Sequence, residues 1–206
     1  MENKKPTVIV TGASGGYGAG IAETFAKQGA NVFITARNEA KLKEVASRIG
    51  ATAIVADATS AADWDRVVKT VMDSTGRIDA LINNAGAGGR IAATAEQSDE
   101  EIIQTLHLNL TSVMLGCRRV APIMTAQGSG TIVNISSVCA KYSWPGWSIY
   151  SAAKAGVERF SKGLYLEVRP RGVRVTVVTP SWGATEFCDN SGIGGHPATE
   201  IGRAHV

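Results

Sequence analysis

The sequence is poor in cysteine. Cys117, Cys139 and Cys188 are odd in number and widely spaced, and no CxxC pair occurs. That pattern suggests neither a disulfide framework nor a zinc site, and a reduced, cytoplasmic location is the simpler reading. Histidine is scarce too. His107, His196 and His205 show no metal-ligand spacing, so no metal is expected. No stretch approaches the roughly 20 apolar residues that cross a bilayer, and residues 1–6 lack the apolar core of a secretory signal. No membrane partner is therefore expected. The net charge of +3 comes without a dense basic run, which argues against nucleic acid as a partner. A GxSxG nucleophile elbow is missing, as are internal repeats, linkers and low-complexity segments.

What is present is a chain of 206 residues, 44% apolar and 19% charged, enough for one domain with a substantial core. Short apolar, β-branched runs at 7–11, 31–35, 52–55, 78–82, 130–135 and 173–178 read as strands. Amphipathic stretches at 19–28, 39–49, 61–74, 99–125 and 150–168 read as helices, the first three closed by Gly29, Gly50 and Gly76. Strands apolar on both faces that alternate with helices predict an α/β, doubly wound parallel sheet of Rossmann type, in three α/β/α layers. Residues 1–187 form this domain, and 188–206 read as an irregular tail rich in glycine. The final 200–206 match nothing before them and resemble the translation of a sequencing-adapter read. The expectation is that the natural gene was cut short there.

Between the first strand and first helix lies TGASGGYG, residues 11–18. A turn at that place aims backbone N–H groups and a helix N-terminus at a pyrophosphate, and glycine permits both positive φ and close approach. Gly12, Ser14, Gly15, Gly16, Tyr17 and Gly18 are thus candidate cofactor contacts. Their spacing is GxxxGxG rather than GxGxxG. An NAD site usually carries an acidic residue roughly 20 residues further on, for the ribose 2′-OH. Here that position holds Ala36, followed by Arg37. A guanidinium suits a 2′-phosphate, so NADP(H) is favoured and NAD(H) is the alternative. A solvated surface arginine is the bland reading of the same residue.

Tyr150 and Lys154 stand four apart on a predicted helix and share a face. A free phenol titrates near 10, and a neighbouring ammonium is expected to lower that value toward general acid/base work. Ser136 and Ser137 end the fifth strand, where ligands of open parallel sheets bind. A hydroxyl there can polarise a carbonyl oxygen or simply cap the strand. Asn83, Asn84, Ala85 and Gly86 end the fourth strand in the same layer. Asn109 lies within an apolar helix, either hydrogen-bonded in the interior or turned to solvent. Tyr142, Trp144 and Trp147 precede Tyr150 and either line a substrate entrance or cover the sheet.

From residue 7 to about 185 this set resembles the short-chain dehydrogenase/reductase family. The likeness rests on TGASGGYG, on Asp57 after the third strand, on NNAG at 83–86, and on Asn109, Ser137, Tyr150 and Lys154 in order. It implies that Tyr150 exchanges a proton with the substrate oxygen while Ser137 orients that oxygen. Lys154 holds the nicotinamide ribose and lowers the Tyr150 pKa, and Asn109 supports a water-linked proton relay. Asp57 with Ala58 meets the adenine, Asn84, Ala85 and Gly86 line the cofactor, and Pro180 and Thr185 meet the nicotinamide end. It also implies a small carbonyl or alcohol substrate, and a homodimer or homotetramer for the full-length protein. Three features depart from the pattern. Tyr17 replaces an aliphatic residue, Ser181 replaces a glycine, and the last helix and seventh strand are missing. The reading is an oxidoreductase moving a hydride between NADP(H) and a carbonyl or secondary alcohol. The alternatives are a non-catalytic NADP-binding protein and an inactive truncated enzyme.

Overall fold

A computed structural model describes residues 5–181, 183 and 187. Six strands are described: β1 (Thr7–Thr11), β2 (Asn31–Ala36), β3 (Thr52–Val55), β4 (Ala80–Asn83), β5 (Gly130–Ile135) and β6 (Val173–Val178). They form one sheet in the order β3-β2-β1-β4-β5-β6, and every pair is parallel. The chain winds outward from β1 in both directions, so the order reverses between β1 and β4. In such sheets the crevice at the reversal is the ligand site.

Helices α1 (Gly16–Lys27) and α2 (Glu39–Ile49) cover one face. Their Ala19, Ala22, Leu42 and Val45 pack on Val8, Val10, Val32 and Ile34. Helices α3 (Ala61–Thr75), α5 (Ser112–Gln127) and α6 (Ser148–Val168) cover the other. There Trp64, Val71, Cys117, Met124 and Val157 meet Ile9, Leu81 and Ile132. Each fully buried aliphatic side chain contributes about 1.5–3 kcal/mol, and the two clusters together hold the sheet rigid. Among the described residues only one face of β6 is covered. Val175 packs inward, while Arg174, Thr176 and Val178 are exposed.

Helix ends follow local chemistry. Asn38 caps α2 by accepting from the Lys41 N–H at 3.0 Å, and Ser60 caps α3 by accepting from Asp63. Gly50 and Gly76 close them in left-handed conformations, at φ 70° and 68°. Helix α4 (Asp99–Leu106) begins with a capping box of Ser98 and Glu101. The helix predicted over 99–125 is one continuous rod, but it is not α-helical throughout. Residues His107–Thr111 form a π-helical turn joining α4 to α5. Helix α1 starts at Gly16, three residues before its apolar periodicity, because the Gly15 carbonyl already accepts from the Ala19 N–H.

Asp79 fastens the N-terminal ends of three strands. Its carboxylate accepts from the Thr7 N–H at 2.8 Å, its N–H donates to the Thr7 carbonyl, and its own carbonyl accepts from the Thr131 N–H. Arg77 holds the same carboxylate through a forked contact. Burial alone would raise the Asp79 pKa, but Arg77 and the Thr7 N–H outweigh it and hold it below the usual carboxylate value.

Candidate active site

A cleft of about 710 Å³ runs across the carboxyl ends of the strands, at the point where strand order reverses. Its middle is the glycine turn after β1. Gly12 adopts φ 65°, and a Cβ there would stand 2.8 Å from the Ala85 Cα. Only glycine lets the β1 and β4 loops touch. Thr11 secures that contact: its hydroxyl oxygen accepts from the Asn84 and Ala85 N–H groups at 3.0 Å each. The Asn84 carboxamide returns two bonds, to the Thr11 and Gly12 carbonyls. Gly15 faces open space, so backbone donors at the start of α1 are approachable by a phosphate. Gly12, Ser14, Gly15, Gly16 and Tyr17 line the cleft. Gly18 does not. It is buried under the turn, where a Cβ would collide with the Gly12 carbonyl.

Beyond β2 the cleft is walled by Arg37 and Lys41, and beyond β3 by Asp57 and Ala58. Arg37 is exposed. The Asp57 carboxylate accepts from the Thr59 N–H and hydroxyl through one oxygen, Oδ1, at 2.8 and 2.7 Å. Lys41, one turn into α2, was not singled out by its motif, because a lysine on an amphipathic helix carries no signal of its own.

The opposite end holds the chemistry. Ser137, Tyr150 and Lys154 all line it. Ser137 follows β5, and its hydroxyl oxygen accepts from the Cys139 N–H at 3.2 Å. Tyr150 and Lys154 sit in the first two turns of α6, with the Lys154 Nζ 5.7 Å from the Tyr150 ring centroid. Burial is the main influence on the phenol and pushes its pKa up, while its hydrogen bond with Ser137 pulls the other way. The expectation that Lys154 lowers the Tyr150 pKa does not describe this state. The ring is packed among Trp147, Cys139 and Phe187, and desolvation dominates. The Lys154 ammonium is itself pushed down to about 8 by burial and donates to the Ile135 carbonyl at 3.0 Å.

Asn109 is fully buried in the π-helical turn, not turned to solvent. It stands behind the cleft wall rather than in it. Its carboxamide donates to the Ala87 carbonyl at 2.8 Å and to the Thr105 carbonyl at 3.0 Å, and accepts from the Ala87 N–H. Gly86 joins the two groups: a Cβ there would lie 2.8 Å from the Asn109 Oδ1 and 3.3 Å from the Lys154 Nζ. π-turns of this kind recur at functional sites.

Trp147 lines the cleft, whereas Tyr142 and Trp144 form a separate exposed pair with ring centroids 6.3 Å apart. Trp147 meets Tyr150 edge-on at 5.5 Å, and Phe187 stacks on Trp147. Phe187 lies just before the sequence loses its periodicity, so its place could not be read from a motif. Pro180 and Ser181 complete the lining, and the Tyr17 phenol crosses to Gly183. Thr185, Trp182 and the tail 188–206 lie outside the described residues. Among the described residues no cluster of metal-binding side chains occurs, and no helix is long and apolar enough to cross a membrane.

This sheet order, turn and cleft define a Rossmann-type nucleotide-binding protein. The family model for short chain dehydrogenase matches residues 6–193, and the chain belongs to that family. It is 37% identical over 188 residues to a 3-oxoacyl-[acyl-carrier-protein] reductase of Synechocystis, covering 88% of this chain and 76% of the relative. A short-chain dehydrogenase structure from Streptomyces avermitilis superposes with a TM-score of 0.83 at 36% identity, covering 89% of this chain and 66% of that one. A 3-ketoacyl-(acyl-carrier-protein) reductase from Brucella melitensis, solved with NADH, does so with a TM-score of 0.87 at 32% identity, covering 90% and 79%.

Proposed function

We propose that this chain is an oxidoreductase that interconverts a carbonyl and a secondary alcohol, with Tyr150 as general acid/base and NADP(H) as the preferred cofactor. One observation carries the reading. A glycine turn suited to a pyrophosphate and a Ser137–Tyr150–Lys154 cluster line one cleft. The residues present fit a dinucleotide: Gly15 faces open space beside the backbone donors at the start of α1. Gly12 to Tyr17 would hold the pyrophosphate, Asp57 and Ala58 the adenine, and Asn84 to Gly86 the middle of the molecule. Arg37, with Lys41 on the same wall, would hold a 2′-phosphate. A bound nicotinamide supplies or takes the hydride, and the protein supplies position and proton.

The proton path follows from the side chains. The Cys139 N–H donates to the Ser137 oxygen, which leaves the hydroxyl proton for the Tyr150 phenol or for a substrate oxygen. A carbonyl oxygen held there lies beside the phenol. Because burial keeps Tyr150 protonated, it is an acid with its proton in hand for reduction. The Lys154 Nζ, 5.7 Å from the ring centroid, is the cation beside the phenolate left behind. Asn109, bound to Ala87 and touching the same Gly86 as Lys154, holds the wall through which a relay of protons would resupply Tyr150.

The test is NADPH oxidation against a panel of ketones. Tyr150→Phe should lower turnover by about 10²–10⁴-fold and leave NADPH affinity within a few fold. Normal turnover by that variant would overturn the mechanism.

A further inference from the structure

The charges lining the cleft are segregated. Among its described lining residues the formally charged ones are Arg37, Lys41, Asp57 and Lys154. The first three follow β2 and β3, at the end away from Tyr150. Lys154 is engaged with the Ile135 carbonyl. Around Tyr150 the described lining is otherwise uncharged: Cys139, Trp147 and Phe187 pack on the ring and Ser137 supplies a hydroxyl. Trp147 and Phe187 lie nearly parallel, with 13° between their planes, and both contact the Tyr150 ring. Trp147 is the buried member of this pair, and Phe187, half-buried, is the outer one.

We infer that the substrate is a neutral ketone, or the matching alcohol, whose carbonyl adjoins a flat apolar ring that lies against Trp147 and Phe187. The inference rests on the oxidoreductase reading of the same cleft and adds its substrate class. An anionic group next to the carbonyl would lose its water without gaining a cation from the described lining. A ring gains instead, since offset or edge contacts with aromatic walls favour it over an open chain.

A matched pair separates the cases. 4-Methylacetophenone and 4-acetylbenzoate differ only in a methyl against a carboxylate at one ring position. With NADPH, kcat/KM should favour the neutral ketone by at least about 10-fold, the scale set by an uncompensated buried charge. Phe187→Ala should cost 4-methylacetophenone several fold more than it costs 2-octanone. Equal or faster turnover of 4-acetylbenzoate would overturn the inference. Binding is read independently by tryptophan quenching in the NADPH-loaded Tyr150→Phe protein, which needs no catalysis. If the neutral ketone binds there and wild type reduces nothing, the apolar subsite stands and the oxidoreductase reading falls. If neither ketone quenches, the substrate assignment is wrong.

Discussion

The Lys154 ammonium donates to the Ile135 carbonyl at 3.0 Å from the second turn of α6. The bond spans from a helix to the end of a strand and fixes the ammonium under the cleft. The position is costly for a charge. Burial lowers its pKa from 10.5 to about 8. Below about pH 8 both folded and unfolded chains hold the proton, and the penalty is complete. Between about 8 and 10.5 the folded chain releases it first, and stability gains with rising pH. Lys154→Met should therefore be the more stable protein at pH 7, by up to about 3 kcal/mol. That advantage should shrink toward pH 10. Urea unfolding at the two pH values checks this, and a gap that widens with pH would refute it.

Arg37→Ala should discriminate between the cofactors. Loss of a charge-assisted contact costs about 1.5–3 kcal/mol, so the Kd for NADPH should rise about 10- to 100-fold. The Kd for NADH should hardly move. Titration of both reduced cofactors by fluorescence gives the answer, and equal losses for the two would remove Arg37 from the 2′-phosphate site.

Gly86→Ala introduces a methyl where the Asn109 Oδ1 and Lys154 Nζ converge. Overpacking of this kind costs about 1–3 kcal/mol. Turnover should fall by more than the loss of stability explains, because both polar groups must shift. A variant that stays folded by circular dichroism and keeps full activity would show that the convergence does not matter.

Asp79→Asn should weaken the junction of β1, β4 and β5 by about 1–3 kcal/mol at neutral pH. The Asp79 carboxyl is held below 3.8 in the folded chain. Its contribution is present above that value and is lost as pH falls through the lower, folded one. The variant and wild type should converge in thermal stability in strong acid. A deficit that persists undiminished would assign the effect to packing instead.

Much of this was legible in order. Apolar β-branched runs gave all six strands, and Gly50 and Gly76 marked helix ends where the backbone does turn left-handed. Tyr150 and Lys154 are legible through spacing and Ser137 through its place at the end of a strand, and the fold lines one cleft with all three. What escaped were relationships that depend on distant burial. Nothing near Tyr150 in sequence says that Phe187, 37 positions on, will wall in its ring and help to reverse the expected pKa shift. Thr11 reads as an ordinary strand-end residue until its hydroxyl is seen holding Asn84 and Ala85. Asn109 was recognisable as misplaced in an apolar helix, but the π-turn that turns it toward Ala87 has no residue signature.

That turn also sets a rule for insertions and deletions. An α-helix advances about 100° per residue. The π-turn takes up one extra residue in a widened turn, and the same residues wound as plain α-helix would turn α5 by about that angle relative to α4. Val113, Cys117, Val120 and Met124 would swing away from the sheet. The rod is phase-locked between α4 and a half that belongs to the core, and the widened turn at Asn109 lets both be in register at once.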